Sequence, residues 1–93
     1  MNIPNEKLRE AYWYLMSHPN GYQKSLEDIH PDLVEYLIQN GFIGEGINSV
    51  AVFRYHLTDF GKENVEMYYK TLTANLVRDE LDKTIEWWRC YIL

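Results

Sequence analysis

Apolar residues fall at helical spacing from the start of this chain. Leu8, Ala11, Tyr12 and Leu15 sit at i, i+3, i+4 and i+7 and form one stripe. The spacing predicts a first helix from about Asn5 to Ser17, with Asn5 as N-cap and Glu6 in its first turn. Trp13 and Met16 give it a second apolar flank. His18-Pro19-Asn20-Gly21 ends it. A short second helix is expected from Ser25 to Ile29, because Ser25 with Asp28 three residues on is a capping-box variant. His30-Pro31 separates it from a third helix, Pro31 to Gln39, with Leu33, Val34, Leu37 and Ile38 as its buried face. Proline suits a first helical position, since its missing N–H would be unpaired there anyway. Asn40-Gly41 is a left-handed stop signal.

After Gly41 the apolar period drops to two. Phe42-Ile43 begins a first strand, and Gly44 to Ser49 reads as a loop tip. In a second strand from Val50 to Leu57, Ala51, Phe53, Tyr55 and Leu57 alternate with Val52, Arg54 and His56. Thr58 caps a helix starting near Asp59, with Val65, Tyr68, Tyr69 and Leu72 as its apolar positions. Thr71 to Asn75 is a weak stretch where a bend or break is expected. A last helix, about Leu76 to Tyr91, carries Val77, Leu81, Ile85, Trp88 and Ile92 at spacings of three and four, with Trp87 and Tyr91 as a second aromatic edge. The fold class is α+β, mainly α.

Two segments carry a resemblance. Leu33 to Ile43, "LVEYLIQNGFI", precedes the expected hairpin, and Tyr55 to Gly61, "YHLTDFG", closes it. The chain resembles the winged helix-turn-helix superfamily and is similar to regulators of the MarR and PadR type. The resemblance covers roughly two-thirds of the chain. It implies a winged helix, three helices plus a two-stranded β-wing, over residues 1–74, and an additional C-terminal helix of the same domain, for dimerisation or packing, over 75–93. In the family Leu-Thr-x-x-Gly closes the second wing strand and opens the next helix; here it is Leu57-Thr58-Asp59-Phe60-Gly61. The helix before the "GFI" step reads DNA in the family, and the last helix makes a dimer.

Charge changes that picture. The net charge is −5, and residues 25–60 set Arg54 alone against Glu27, Asp28, Asp32, Glu35, Glu45 and Asp59. The outward positions of the third helix are expected to be Asp32, Glu35, Tyr36 and Gln39, where the family usually carries Arg, Lys, Ser, Thr or Gln. Acid there opposes phosphate, whose neutralisation supplies much of the affinity for nucleic acid. The candidate partner face is therefore Glu27, Asp28, Asp32, Glu35, Tyr36, Gln39 and Glu45, suited to a basic protein. The bland reading is a solvated, solubilising face. The candidate DNA contacts are Lys24, Tyr36, Gln39, Asn48, Arg54 and His56; Gln39 can pair with an adenine edge, while Lys24 and Arg54 supply few phosphate contacts.

The remaining chemistry is sparse. A 46% hydrophobic and 25% charged composition excludes disorder. Eight Tyr and three Trp in 93 residues exceed what so small a core absorbs, which favours a subunit contact. The expected dimer helix uses Val77, Leu81, Ile85, Trp88, Tyr91 and Ile92; the alternative is a helix folded back on Tyr12, Trp13 and Met16. His18, His30 and His56 lack metal-ligand spacing, and the single Cys90 has no second thiol to pair with, so no metal or cofactor is expected. No catalytic arrangement emerges from the spacing. No signal peptide opens the chain and no apolar run approaches the ~20 residues that span a bilayer, so a cytoplasmic protein is expected. The sequence points to a dimeric, non-enzymatic regulatory module that binds a protein through its acidic helix-turn-helix face. The alternative is a dimeric DNA-binding transcriptional regulator; a third reading is a ligand sensor using the aromatic space between the first and last helices.

Overall fold

The computed structural model describes residues 2–45 and 53–92, with side chains placed for 2–44 and 53–81. Its elements run α1 Asn5–Ser17, β1 Asn20–Tyr22, α2 Gln23–Ile29, α3 Leu33–Gln39, β2 Ile43–Glu45, β3 Arg54–Leu57 and α4 Asp59–Ile92. The fold is α+β and mainly helical, with one antiparallel sheet in the order β1-β3-β2.

The first helix has the expected ends, but Pro4 rather than Asn5 is its N-cap. Pro4 instead presents its carbonyl to the N–H groups of Lys7 and Leu8, at 3.0 and 3.1 Å. The segment read as a simple stop contains β1, so the sheet has three strands rather than two. Asn20 pairs with His56 and Tyr22 with Arg54, a long-range pairing that local periodicity does not carry. The helix α2 starts two residues before Ser25, directly after Tyr22, and no side chain caps it. Pro31 and Asp32 form a turn before α3, in which the Asp32 N–H donates to His30 Nδ1 at 3.1 Å. β3 begins at Arg54; the expected residues Val50, Ala51 and Val52 lie outside the described residues. Phe53, expected inward, is 68% exposed, because the regular strand starts one residue after it.

The largest difference lies in α4. The break expected at Thr71 to Asn75 is absent, and one helix runs across the 74/75 boundary. Thr and Asn each cost only a few tenths of a kcal/mol in a helix, and packing overrides that. Tyr69 and Leu72 hold this stretch against the core, and Arg78 Nη2 donates to Asn75 Oδ1 at 2.6 Å.

The core is Ala11, Tyr12 and Leu15 of α1, Leu26 of α2, Leu33 and Leu37 of α3, then Phe42, Ile43, Tyr55, Leu57 and Val65. The helices α1 and α4 run antiparallel: Leu15 and Met16 border the same hollow as Val65, and Leu8 the same hollow as Leu72. Phe42 sits at the centre of an aromatic cluster, with ring centroids 5.3 Å from Tyr12, 5.4 Å from Phe60 and 4.9 Å from Tyr68.

Two junctions lock this arrangement. At the end of α3, Gly41 takes φ +78, its N–H donates to the Ile38 carbonyl, and the Phe42 N–H reaches the Leu37 carbonyl. That is the left-handed glycine cap, which satisfies carbonyls a helix end leaves open. At the start of α4, the Thr58 hydroxyl donates to the Gly41 carbonyl and accepts the Gly61 N–H at 3.0 Å. The Thr58 N–H donates to the Phe42 carbonyl at 3.0 Å. Gly61 lies so close that a Cβ would strike the Phe42 carbonyl oxygen. Thr58→Ala should therefore cost about 1 kcal/mol, as the loss of an N-cap hydroxyl does. Gly61→Ala should cost more, about 2 kcal/mol, because backbone rather than a movable side chain blocks the methyl group. Urea denaturation of the two variants checks the order, and a Gly61→Ala protein of native stability would contradict the close approach.

Tyr55 is buried beneath Gly21, and its hydroxyl donates to the His18 carbonyl at 2.7 Å. Burial, and then the neighbouring Tyr14, pushes its phenol well above the usual tyrosine range. Burial and then Tyr36 do the same to Tyr12. Above about pH 10 the folded protein thus keeps protons that the unfolded chain releases, so stability is full below that pH and falls as pH rises beyond it. A Tyr12→Phe, Tyr55→Phe double variant should lose less stability than the native chain between about pH 9 and about pH 11. Urea midpoints across that range test this; parallel slopes would show that neither phenol contributes.

Candidate functional site

The acidic face is built by two seven-residue helices packed together. Each buries few side chains inward, Leu26 from α2 and Leu33 and Leu37 from α3. What remains faces water: Lys24, Glu27, Asp28, Asp32, Glu35 and Gln39 are all exposed. Lys24 Nζ lies 4.0 Å from Asp28 Oδ1, with both side chains mostly in solvent, so the pair contributes little stability. It does offset one carboxylate; among the described residues no cation pairs with Glu27, Asp32 or Glu35. Gln39 Nε2 donates to Glu35 Oε1 at 3.2 Å, which turns the glutamine amide toward its own helix.

Tyr36 departs from the expected outward set. It is half-buried against the core. Its ring lines an apolar cleft of about 370 Å³ between α1, α3 and α4, together with Leu8, Tyr12, Met67, Tyr68 and Leu72. Among the described residues the cleft lies against residues 67–75 of α4, not against the 76–91 stretch beside which the aromatic space is expected. Ile38, expected to be buried, is 38% exposed, and Val34 is only partly covered. The inward side of α3 is thus turned toward Tyr36 and away from Ile38.

The other candidates scatter. Arg54 stacks its guanidinium 4.7 Å from the Tyr22 ring centroid. The Gln23 side chain donates to the Arg54 carbonyl at 3.2 Å. His56 is exposed and lies over Gly44, where a Cβ would meet its Cε1 at 2.8 Å. Asn48 lies outside the described residues, as does the side chain of Glu45, whose backbone is in β2. Val77 and Leu81 are 51% and 57% exposed. The side chains of Ile85, Trp88, Tyr91 and Ile92 lie outside the described residues, although the backbone there is α4.

Sequence reasoning missed a second surface, at the end of the sheet. Tyr22, 48% exposed, and Phe53 border an open hollow whose other walls include Lys24, Glu27 and Asp28. The signal was present in Asn20-Gly21-Tyr22, but three residues are too few for a strand period to register. Among the described residues no group of His, Cys, Asp and Glu could hold a metal ion, and no helix is long and apolar enough to cross a membrane. Compared with known proteins, the chain matches no family model, no curated protein and no solved structure.

Proposed function

We propose that this protein is a dimeric, non-enzymatic winged-helix module that binds a basic protein partner through the acidic face of α2 and α3. The winged-helix reading is supported by the element order, helix–strand–helix–helix–strand–strand, with the first strand paired to the last. The observation that carries the partner class is the exposed surface of α2, its turn and α3. It presents Glu27, Asp28, Asp32 and Glu35 against one base, Lys24, already paired to Asp28. Such a surface repels phosphate and attracts cationic protein, speeding encounter with it and rejecting nucleic acid.

The dimer reading rests on α4. Among the described side chains Leu72 is its last one packed on the core, yet the helix runs on to Ile92, about 30 Å farther at 1.5 Å per residue. Val77 and Leu81 point roughly 115° and 155° away from the side that Val65, Tyr69 and Leu72 bury, so their own core leaves them uncovered. Met67, Ala74 and Leu81 are all exposed and recur every seven residues, the period of a helix–helix seam.

Two measurements test these readings. Fluorescence anisotropy with random duplex DNA should show no binding from low to physiological salt, whereas an arginine-rich peptide should bind and weaken with salt. Asp32→Asn with Glu35→Lys should weaken the peptide several-fold and create salt-dependent DNA affinity. Steeply salt-dependent DNA binding by the native protein would overturn the partner reading in favour of the transcriptional regulator. For the dimer, light scattering should give twice the 11.2 kDa chain mass. Val77→Lys with Leu81→Lys should return it to one chain, and a native protein already at that mass would overturn the seam.

A further inference from the structure

The strand β1 is an edge of the sheet, and its free side opens beside the aromatic hollow. The Pro19 carbonyl accepts the Leu57 N–H at 2.8 Å, and the Gln23 N–H donates to the Phe53 carbonyl at 3.0 Å. Gly21 stands opposite Tyr55 between them. Odd-numbered residues therefore bond to β3, and the alternation of an antiparallel ladder turns the Asn20 N–H and carbonyl and the Tyr22 N–H outward, while Tyr22, as N-cap, gives its carbonyl to the first turn of α2. Both residues are exposed, and among the described residues no second strand pairs with these outward groups. Such an edge is a ready template for one more strand.

The side chains beside this edge select for charge. Phe53 is 68% exposed and lies outside the buried core. Its neighbour Tyr22 already holds one guanidinium, that of Arg54, over its ring. The same hollow, about 620 Å³, carries Glu27 and Asp28 against Lys24. Aromatic faces and carboxylates converging on one open space favour a cation over an anion or a neutral group. Lys24 does not close the site, because its side chain is 83% exposed and its contact with Asp28 is long at 4.0 Å.

We propose that the free edge of β1 and the adjoining hollow form a docking site for an extended basic peptide segment. The segment adds to β1 as a fourth strand through the N–H and carbonyl of Asn20 and the N–H of Tyr22. One of its arginine or lysine side chains enters the hollow beside Phe53 and reaches Glu27 and Asp28. Main-chain bonds supply affinity and the hollow supplies the preference for a cation. The site deepens the acidic-face reading and rests on it for the charge of the partner, but it places the contact on the sheet edge rather than on α3.

The test uses the native protein and three labelled hexapeptides: alternating arginine and valine, the same with glutamate for arginine, and the same with proline for valine. The arginine–valine peptide should bind about tenfold more tightly than either other, since one control lacks the cation and the other the N–H groups of a strand. Phe53→Ala should weaken it about fivefold. Asn20→Pro should also weaken it, because it removes an outward N–H while leaving the bonds to β3. Hydrogen exchange on the native protein guards against misfolded variants: the peptide should slow the Asn20 and Tyr22 amides. Binding that ignores both substitutions, or protection confined to α3 and lost with Asp32→Asn and Glu35→Gln, would overturn the edge site while leaving the acidic-face reading standing. Edge protection unaffected by the α3 changes would do the reverse.

Discussion

One threonine hydroxyl holds the two halves of this molecule in register. Thr58 stands where β3 gives way to α4, and it bonds to the place where α3 gives way to β2. Its hydroxyl reaches the Gly41 carbonyl and takes the Gly61 N–H, while its own N–H takes the Phe42 carbonyl. Each group meets a backbone need that the chain cannot otherwise satisfy at a helix end. The contact demands two glycines for different reasons, Gly41 for its positive φ and Gly61 for clearance. With that contact made, Phe42 falls between Tyr12, Phe60 and Tyr68, and the aromatic centre of the core follows.

What the sequence disclosed and what it concealed divide along the range of the interactions involved. The stripe Leu8, Ala11, Tyr12 and Leu15 is local, and α1 lies where that stripe places it. The Asn40-Gly41 stop and the Thr58 cap are local too, and both are seen. β1 is different, since three residues acquire a strand only from a partner far along the chain and from the Tyr55 ring fitting beneath Gly21. Tyr36 shows a subtler limit. On a two-turn helix, Leu33 and Leu37 define the buried line, and either flank can turn inward, Val34 with Ile38 or Tyr36. Hydrophobicity alone favours the aliphatic pair. The cleft between α1 and α4 lies on the other flank, and a tyrosine ring can line it with its hydroxyl near Tyr12. The acidity of the α2–α3 surface was legible because it is a matter of composition. The aromatic hollow beside β1 was not, because it exists only once the sheet has formed.

The sheet also ties the acidic helices down at both ends. β1 precedes α2 and β2 follows α3, and both strands bond to the same central strand, β3. The pair α2–α3 is thus an excursion whose entrance and exit are held side by side. Its inner contacts are few, Leu26, Leu33 and Leu37, so its outer surface can be given over to charge without loss of core.

The unbroken course of α4 has a mechanical side. A helix without proline, glycine pair or bulge beyond Gly61 bends only gently, so its far half behaves as a rod rooted in the core. Over about 30 Å of rod, each degree of tilt at the root moves the tip by about 0.5 Å. The root is packed against the same cleft that Tyr12, Tyr36 and Met67 line. A shift of a few degrees there, too small to disturb the core, is therefore delivered at the far end as a displacement the size of a side-chain contact. The geometry that makes α4 stiff also makes it a lever, with its fulcrum in the core and its load at Ile92.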